Sequence, residues 1–216
     1  GELKVSIDTA AVKRQFGDTD HIYTVKAEVT DKSRRTIEGQ GKIKVTRNEF
    51  RIFLQPEQGY FRTGESIKVK VKALTPDNIG KKTEGTVTVS RVAYRGENNA
   101  LMTEKPVKTF SDSTAENGEL ELSLKFDTSG QYKIEYITKD AWDEEVRGAV
   151  AVWVVGRDFN GAVYRFNSLE LLTDKRIYKV GETAHMMLNA ARAGSYVLYS
   201  DEVDSGNLLS YRMIHL

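Results

Sequence analysis

The residues best suited to hold a metal or move a proton near neutral pH are the three histidines, His21, His185 and His215. A metal site needs several such ligands held together, and its usual trace is a His-x-His or His-x₃-His spacing. The chain has neither, so all three read as surface residues. Asp18-Thr-Asp20, Asp143-Glu-Glu145 and Asp201-Glu-x-Asp204 carry the hard oxygens that Ca²⁺ takes. They lack the EF-hand spacing and read as solvated hairpin tips, with Asp204-Ser-Gly-Asn207 as a plain turn signal. Gly39-x-Gly41 lacks the third glycine of a dinucleotide fingerprint and precedes a strand rather than a helix. There is no Gly-x-Ser-x-Gly elbow. With zero cysteines, disulfides, thiolate metal sites and cysteine nucleophiles are excluded together. No set of nucleophile, base and orienting group is visible, so a non-enzyme without metal or cofactor is expected.

Lys68, Lys70 and Lys72 form a basic stripe without interleaved aromatic residues. It reads as a solvated face, or a sheet edge guarded by lysines, rather than a nucleic-acid platform. The overall charge agrees: 32 basic residues stand against 31 acidic ones, for a net charge of +1. That balance gives no electrostatic reason to bind nucleic acid or acidic lipid. At 216 residues and 39% hydrophobic content the chain is globular and long enough for one large domain or two ordinary ones. No apolar run approaches the ~18 residues of a membrane span, and no signal-peptide core opens the sequence. The start at Gly1-Glu2-Leu3 suggests an excised piece of a longer protein, with any signal or anchor elsewhere. No Asn-x-Ser/Thr sequon occurs, which leans toward a bacterial source.

The elements that must position these groups are strands. Tyr60 to Ala73 passes through a Gly64-Glu65 turn and then alternates, with Ile67, Val69, Val71 and Ala73 on one side and the lysines on the other. The same phrase returns at Tyr178 to Ala190, where Gly181-Glu182 stands 117 residues on (181 − 64). That offset suits consecutive β-sandwich domains and is too long for a solenoid. The repeat keeps the apolar side as Ala184, Met186, Leu188 and Ala190 and abandons the lysines, so it marks the start of a domain rather than a site.

Further strands are predicted at Leu3–Ile7, His21–Val29, Thr36–Val45 with a bulge around Gly39 and Gly41, Phe50–Leu54, Gly85–Val92, Val107–Phe110, Leu120–Phe126, Tyr132–Tyr136 and Gly148–Val155. Tyr196–Ser200 and Leu208–Leu216 complete the set. Asp8 to Gln15 suggests a turn of helix, Arg95 to Met102 a loop, and Asn117-Gly118 a hairpin turn. Asp140 to Gly148 reads as a charged hairpin loop. Asp127-x-x-Gly130-x-Tyr132 has the form of a tyrosine corner, in which a Tyr hydroxyl bonds to upstream backbone, and Asp18 to Tyr23 a degenerate second one. Trp142 reads as an exposed loop aromatic and Trp153 as a core or interdomain one. The fold class is therefore all-β, tandem Ig-like or fibronectin-III-like antiparallel sandwiches. Residues 1–47 are expected to be the C-terminal half of one domain, 48–156 a complete domain, and 157–216 the N-terminal half of another. The two halves would leave unpaired edges and are expected to dock between two copies of the chain.

Several phrases together resemble one family. Tyr23 to Gly41, Gly59 to Ala73, Ala151 to Gly156, Leu172 to Ala190 and Leu198 to Leu216 are similar, in order, to the macroglobulin domains of bacterial α2-macroglobulin-like proteins. The resemblance implies macroglobulin sandwiches in a protease-trapping inhibitor, which encloses a protease after an exposed bait segment is cut. It implies a periplasmic, cell-surface or secreted location, and target proteases and neighbouring macroglobulin domains as partners. Without cysteine this chain cannot carry the Cys–Gln thioester of many members, and no bait-type insertion is visible. The expected role is a non-catalytic scaffold with structural positions at Gly64, Glu65, Asp127, Gly130, Tyr132, Trp153, Gly181 and Glu182. Gly156 to Phe166 and Trp153 are where domain coupling is expected. The alternative is an Ig-like binding module of a bacterial surface adhesin or complement-like protein, engaging its partner through loops such as 95–106.

Overall fold

A computed structural model of the chain describes residues 2, 4–17, 19–95, 101–159, 169–192, 194–203 and 206–216. The described residues form an all-β, largely antiparallel architecture with one short helix. A sandwich occupies its middle. One sheet holds β3 (Arg51–Pro56), β5 (Ser66–Leu74) and β8 (Glu119–Lys125) in the order β3-β5-β8. The other holds β4 (Tyr60–Arg62), β6 (Glu84–Arg95), β7 (Leu101–Ser113), β9 (Gly130–Lys139) and β10 (Glu145–Val155) in the order β4-β10-β9-β6-β7. The alternation in the sequence explains the core. Ile67, Val69, Val71 and Ala73 of β5 are fully buried, while Lys68 and Lys70 between them stay in solvent. Val87, Val89, Ile134, Tyr136, Val152 and Val154 meet them from the facing sheet. Each valine or isoleucine side chain so buried is worth about 1.5–3 kcal/mol relative to exposure.

Two features of this sandwich depart from a simple meander. The three-residue β4 pairs with β10 in parallel, Tyr60 beside Trp153 and Phe61 beside Val154. The two sheets also approach very closely where β10 passes β3. A Cβ on Gly148 would lie 2.5 Å from the Ile52 carbonyl oxygen and 2.9 Å from Leu54. Glycine is required there because the nearest of these atoms is a backbone carbonyl oxygen, which cannot rotate away as a side chain can.

Outside this core lie α1 (Ala10–Phe16) and three two-stranded sheets: β1 (His21–Thr30) with β2 (Thr36–Val45), β11 (Leu169–Thr173) with β12 (Met186–Ala190), and β13 (Tyr196–Glu202) with β14 (Leu208–His215). Both repeats in the chain are backbone repeats. β3–β5 and β11–β12 share one register at the 117-residue offset: Ile52 faces Ala73 as Leu169 faces Ala190, and Pro56 faces Val69 as Thr173 faces Met186. A second repeat, at 109 residues (132 − 23), relates β1–β2 to β9–β10. Tyr23 faces Ile43 as Tyr132 faces Val152, and Thr30 faces Thr36 as Lys139 faces Glu145.

Several expectations change. Lys4 to Ile7 pair with no strand, and Leu3 lies outside the described residues. The helix starts two residues later than its pattern suggested and ends one later; Asp8 accepts the Ala10 N–H at 2.9 Å and so precedes the first turn. β2 pairs with β1 without a register shift, so Gly39 and Gly41 make no bulge. The bulge falls instead in β7, where Val89 faces Lys108 but Ser90 faces Pro106. β7 is an edge strand, which is where a proline lacking its N–H is tolerated. Much of the 95–106 loop is strand, and residues 96–100 lie outside the described set. Asn117-Gly118 does not make a hairpin: β7 and β8 belong to different sheets, and the turn carries the chain across the sandwich. Gly118 (φ 77°) bonds there to the backbone of Ala73, a tertiary contact that local sequence does not encode. Lys68, Lys70 and Lys72 sit on the central strand of their sheet, so they guard no edge.

The close approach at Gly148 is directly testable. Gly148→Ala places a methyl against the Ile52 carbonyl and is expected to cost about 1–3 kcal/mol. Urea unfolding followed by tryptophan fluorescence measures this, and an unchanged midpoint contradicts the packing described.

Candidate functional site

The singled-out residues fall into three structural devices and one junction. The first device is the repeated Gly-Glu turn. Glu65 N–H donates to the Arg62 carbonyl at 3.1 Å, and the Glu65 carboxylate accepts the Arg62 N–H at 2.8 Å. Glu182 does the same with Lys179, at 3.0 Å for each bond. Gly64 (φ 81°) and Gly181 (φ 91°) supply the left-handed third position that such a turn demands. The backbone just before it repeats too: Glu57 N–H donates to Lys68 O, and Asp174 N–H to His185 O, both at 3.0 Å. These carboxylates therefore hold chain geometry. Asp174 also accepts the Tyr178 hydroxyl at 2.5 Å, which holds its carboxyl below the usual aspartate range.

The second device is the tyrosine corner. Tyr132 O–H donates to the Thr128 carbonyl at 2.9 Å and its ring stacks on Phe126 at 4.0 Å. Gly130 is buried where β9 begins, and Asp127 is exposed in the turn before it. Tyr23 is different. Its buried hydroxyl has no hydrogen-bond partner among the described residues, so no second corner is formed among them, and Asp18 lies outside that set.

The third device was not singled out by sequence. Asp140, only 8% exposed, brackets the β9–β10 turn. One carboxylate oxygen accepts the N–H groups of Trp142 at 2.9 Å and Glu144 at 3.0 Å. The other accepts the Glu49 N–H at 3.1 Å and the Asn48 amide at 3.4 Å. Asp140 thus ties this turn to the segment between β2 and β3. Burial pushes its pKa up, but the backbone donors of Glu49, Glu144 and Trp142 and the Asn48 amide outweigh burial and hold it below the ordinary 3.8. The only sequence signal was an aspartate at the start of a predicted hairpin loop; its partners at 48–49 are remote in sequence. Asp31 brackets the β1–β2 turn in the same way, accepting Ser33 N–H at 2.7 Å and Arg35 N–H at 3.0 Å. Asp143 (φ 63°) and Arg34 (φ 62°) take the left-handed position in the two turns.

The junction centres on Trp153. Its neighbours Val152 and Val154 face the sandwich core, so Trp153 faces outward, buried beside Tyr60. Val155, Phe159, Leu172 and Met187 pack on this pair, and Phe159 meets the indole edge-on at 6.0 Å. This explains why both faces of β10 are apolar at its end: one serves the core and the other receives β11 and β12. Gly59 N–H donates to the Thr173 carbonyl at 3.1 Å across the same junction. Residues 160–166, expected to contribute coupling, lie outside the described residues.

Nothing in these arrangements converges on a reacting atom. His185 and His215 are exposed, His21 is half-buried, and no two histidines come from one element. Among the described residues no group of three or more His, Asp and Glu side chains is arranged to hold a metal ion. Asp20 pairs with Arg51 and accepts the Arg47 N–H at 2.9 Å; Asp143 pairs with Lys139 at 2.6 Å, and Glu145 with Arg147. Asp201 accepts the hydroxyls of Tyr199 and Ser210, and Asp204 lies outside the described residues. The lysine stripe pairs across strands, Lys68 with Glu121 at 3.1 Å and Lys72 with Glu119 at 2.7 Å. A groove of about 450 Å³ runs past Lys70, Lys72, Lys175 and Arg176, but none of its lining residues is buried. No helix of the described residues is long and apolar enough to cross a membrane.

No protein-family model and no curated protein matches the chain. Among solved structures, the sporulation control protein Spo0M from Bacillus subtilis is similar at a TM-score of 0.36 and 11% identity, over 51% of this chain and 51% of that one. The chain spans about half the length of Spo0M, and a likeness at this level carries no argument about fold or function.

Two outcomes test the devices. Asp140→Asn removes the charge that binds the backbone donors, and about 1–3 kcal/mol of stability should be lost at pH 7. Because the folded pKa lies below 3.8, this contribution is complete above that value and disappears as pH falls through the folded pKa. The unfolding curves of the wild type and the variant should therefore converge in acid, and a gap that persists unchanged contradicts the assignment. Tyr132→Phe removes one buried hydrogen bond while keeping the ring, and a loss of about 0.5–1.5 kcal/mol is expected by the same measurement.

Proposed function

We propose that this chain is a non-catalytic scaffold segment of a bacterial α2-macroglobulin-like protease trap, acting outside the cytoplasm. The observation that carries this reading is the structural repeat. The same entrance hairpin, with one register and one Gly-Glu turn, occurs at 51–74 and again at 169–190. Ordered repetition of that unit is what the resemblance to macroglobulin domains implies. The polar groups that stand out hold turns and registers, which suits a frame that transmits force better than a site that performs chemistry. On this reading 48–156 is a complete macroglobulin unit, with 1–47 and 157–216 belonging to its neighbours. The Trp153 junction is then the contact through which a rearrangement of one unit reaches the next. Target proteases are partners of the whole molecule and not of this segment.

The test uses the full-length protein that contains this chain. Incubation with a protease that cuts it once should reduce the radius of gyration seen by small-angle scattering, with the protease retained in the compact product. Cleavage without any change of shape rules out the trap and favours the adhesin-like binding module.

A further inference from the structure

Two of the three two-stranded sheets outside the sandwich, β1–β2 and β11–β12, repeat the registers of its two facing halves. Within the sandwich, β3–β5 and β9–β10 lie face to face, with Gly148 tight against Ile52 and Leu54. Each of these hairpins has a copy of the same register elsewhere in the chain. At the 117-residue offset Ile52 and Leu54 become Leu169 and Leu171; at the 109-residue offset Gly148 becomes Gly39.

The copies carry the chemistry of a buried interface on open surfaces. Ile52 is 6% exposed, whereas Leu169 is 54% exposed and Leu171 53%. Val146 is 4% exposed, whereas its counterpart Ile37 is 73% exposed. A Cβ on Gly39 would meet nothing within 4 Å, although in the sandwich the equivalent glycine is obligatory. β1–β2 and β11–β12 form separate two-stranded sheets, and Ile37, Leu169 and Leu171 stay exposed on them within one chain.

We propose that the β11–β12 face of one molecule docks on the β1–β2 face of a second copy of this chain, rebuilding between them the packing that β3–β5 and β9–β10 make inside the sandwich. The occupant is a second copy because the chain itself supplies the matching hairpin. β1–β2 has the register, the five-residue turn 31–35, the bracketing aspartate and the glycine of the element that covers β3–β5. Gly39 would then receive the Leu169 carbonyl and the Leu171 side chain. Each copy presents one face of each kind, so the contact is heterologous and closes as a reciprocal dimer or continues as a chain of copies. This inference rests on the repeats and not on the protease-trap reading, in which strands of the neighbouring units would cover the same two faces.

Two glycine substitutions separate this contact from general stickiness. Gly39 and Gly41 are both open in the single chain, so valine at either should leave the circular dichroism spectrum unchanged. In the sandwich, however, the counterpart of Gly41 is Val150, which tolerates a side chain, while the counterpart of Gly39 is Gly148, which does not. Sedimentation equilibrium of the whole chain should show mass rising with concentration. Gly39→Val should weaken this by about tenfold or more, and Gly41→Val should not. Leu171→Asp, on the opposite face, should weaken it as Gly39→Val does. A chain that stays monomeric to about 100 µM, a range where even weak contacts register, overturns the proposal. So does equal behaviour of the two glycine variants.

Discussion

β10 is the strand on which the sandwich depends, and the constraint it imposes is absence of a side chain. At Gly148 the strand comes close enough to β3 that a methyl group would strike the Ile52 carbonyl. Val146, Val152 and Val154 of the same strand are buried in the core between the two sheets. The same strand pairs with β9 on one side and with β4 on the other. Its last residues turn Trp153 outward, where Tyr60 and the β11–β12 hairpin bury it. One strand therefore serves the core on one face and the junction on the other.

Around that strand, polar groups act structurally through the backbone. Glu65, Glu182, Asp31 and Asp140 each accept main-chain N–H groups that a tight turn would otherwise leave unpaired. Tyr132 does the converse and donates to a carbonyl. Tyr136 is fully buried, its one hydroxyl proton shared between the carbonyls of Thr83 at 3.1 Å and Asp112 at 3.0 Å, and burial pushes its pKa up to about 12. Such groups fix register without any reacting atom between them, and in a repeated unit a fixed register is what allows one hairpin to be reused.

Legibility in the sequence followed the range of the interaction. The turn at Gly64-Glu65 and its repeat could be read because turn chemistry lies within four residues. The tyrosine corner at Asp127 to Tyr132 could be read for the same reason, whereas its supposed second instance at Tyr23 could not. The repeat of β9–β10 in β1–β2 was hidden, because their side chains differ while their registers agree. Asp140 looked like one more solvated acid, since Asn48 and Glu49, which bury it, lie about ninety residues away. Asn117-Gly118 gave a strong local signal with the wrong consequence, because local geometry states that the chain turns and not which sheet it joins.

By itself the sequence determined the β class, the alternating core of β5, the repeated turn, and the lack of any cysteine-based chemistry. These depend on residue type and on spacing within a few positions, where a period of two or a left-handed glycine leaves a direct trace. Only the tertiary structure decided which strands share a sheet, that β4 joins β10 in parallel, and which side of β12 is covered. The last is instructive. The repeat preserved Met186, Leu188 and Ala190 as an expected core face, yet Asn189, on the other face, is the buried residue of that strand. Burial is settled by what lies opposite, here the Trp153 junction, and a strand's own pattern cannot say which neighbour will come to meet it.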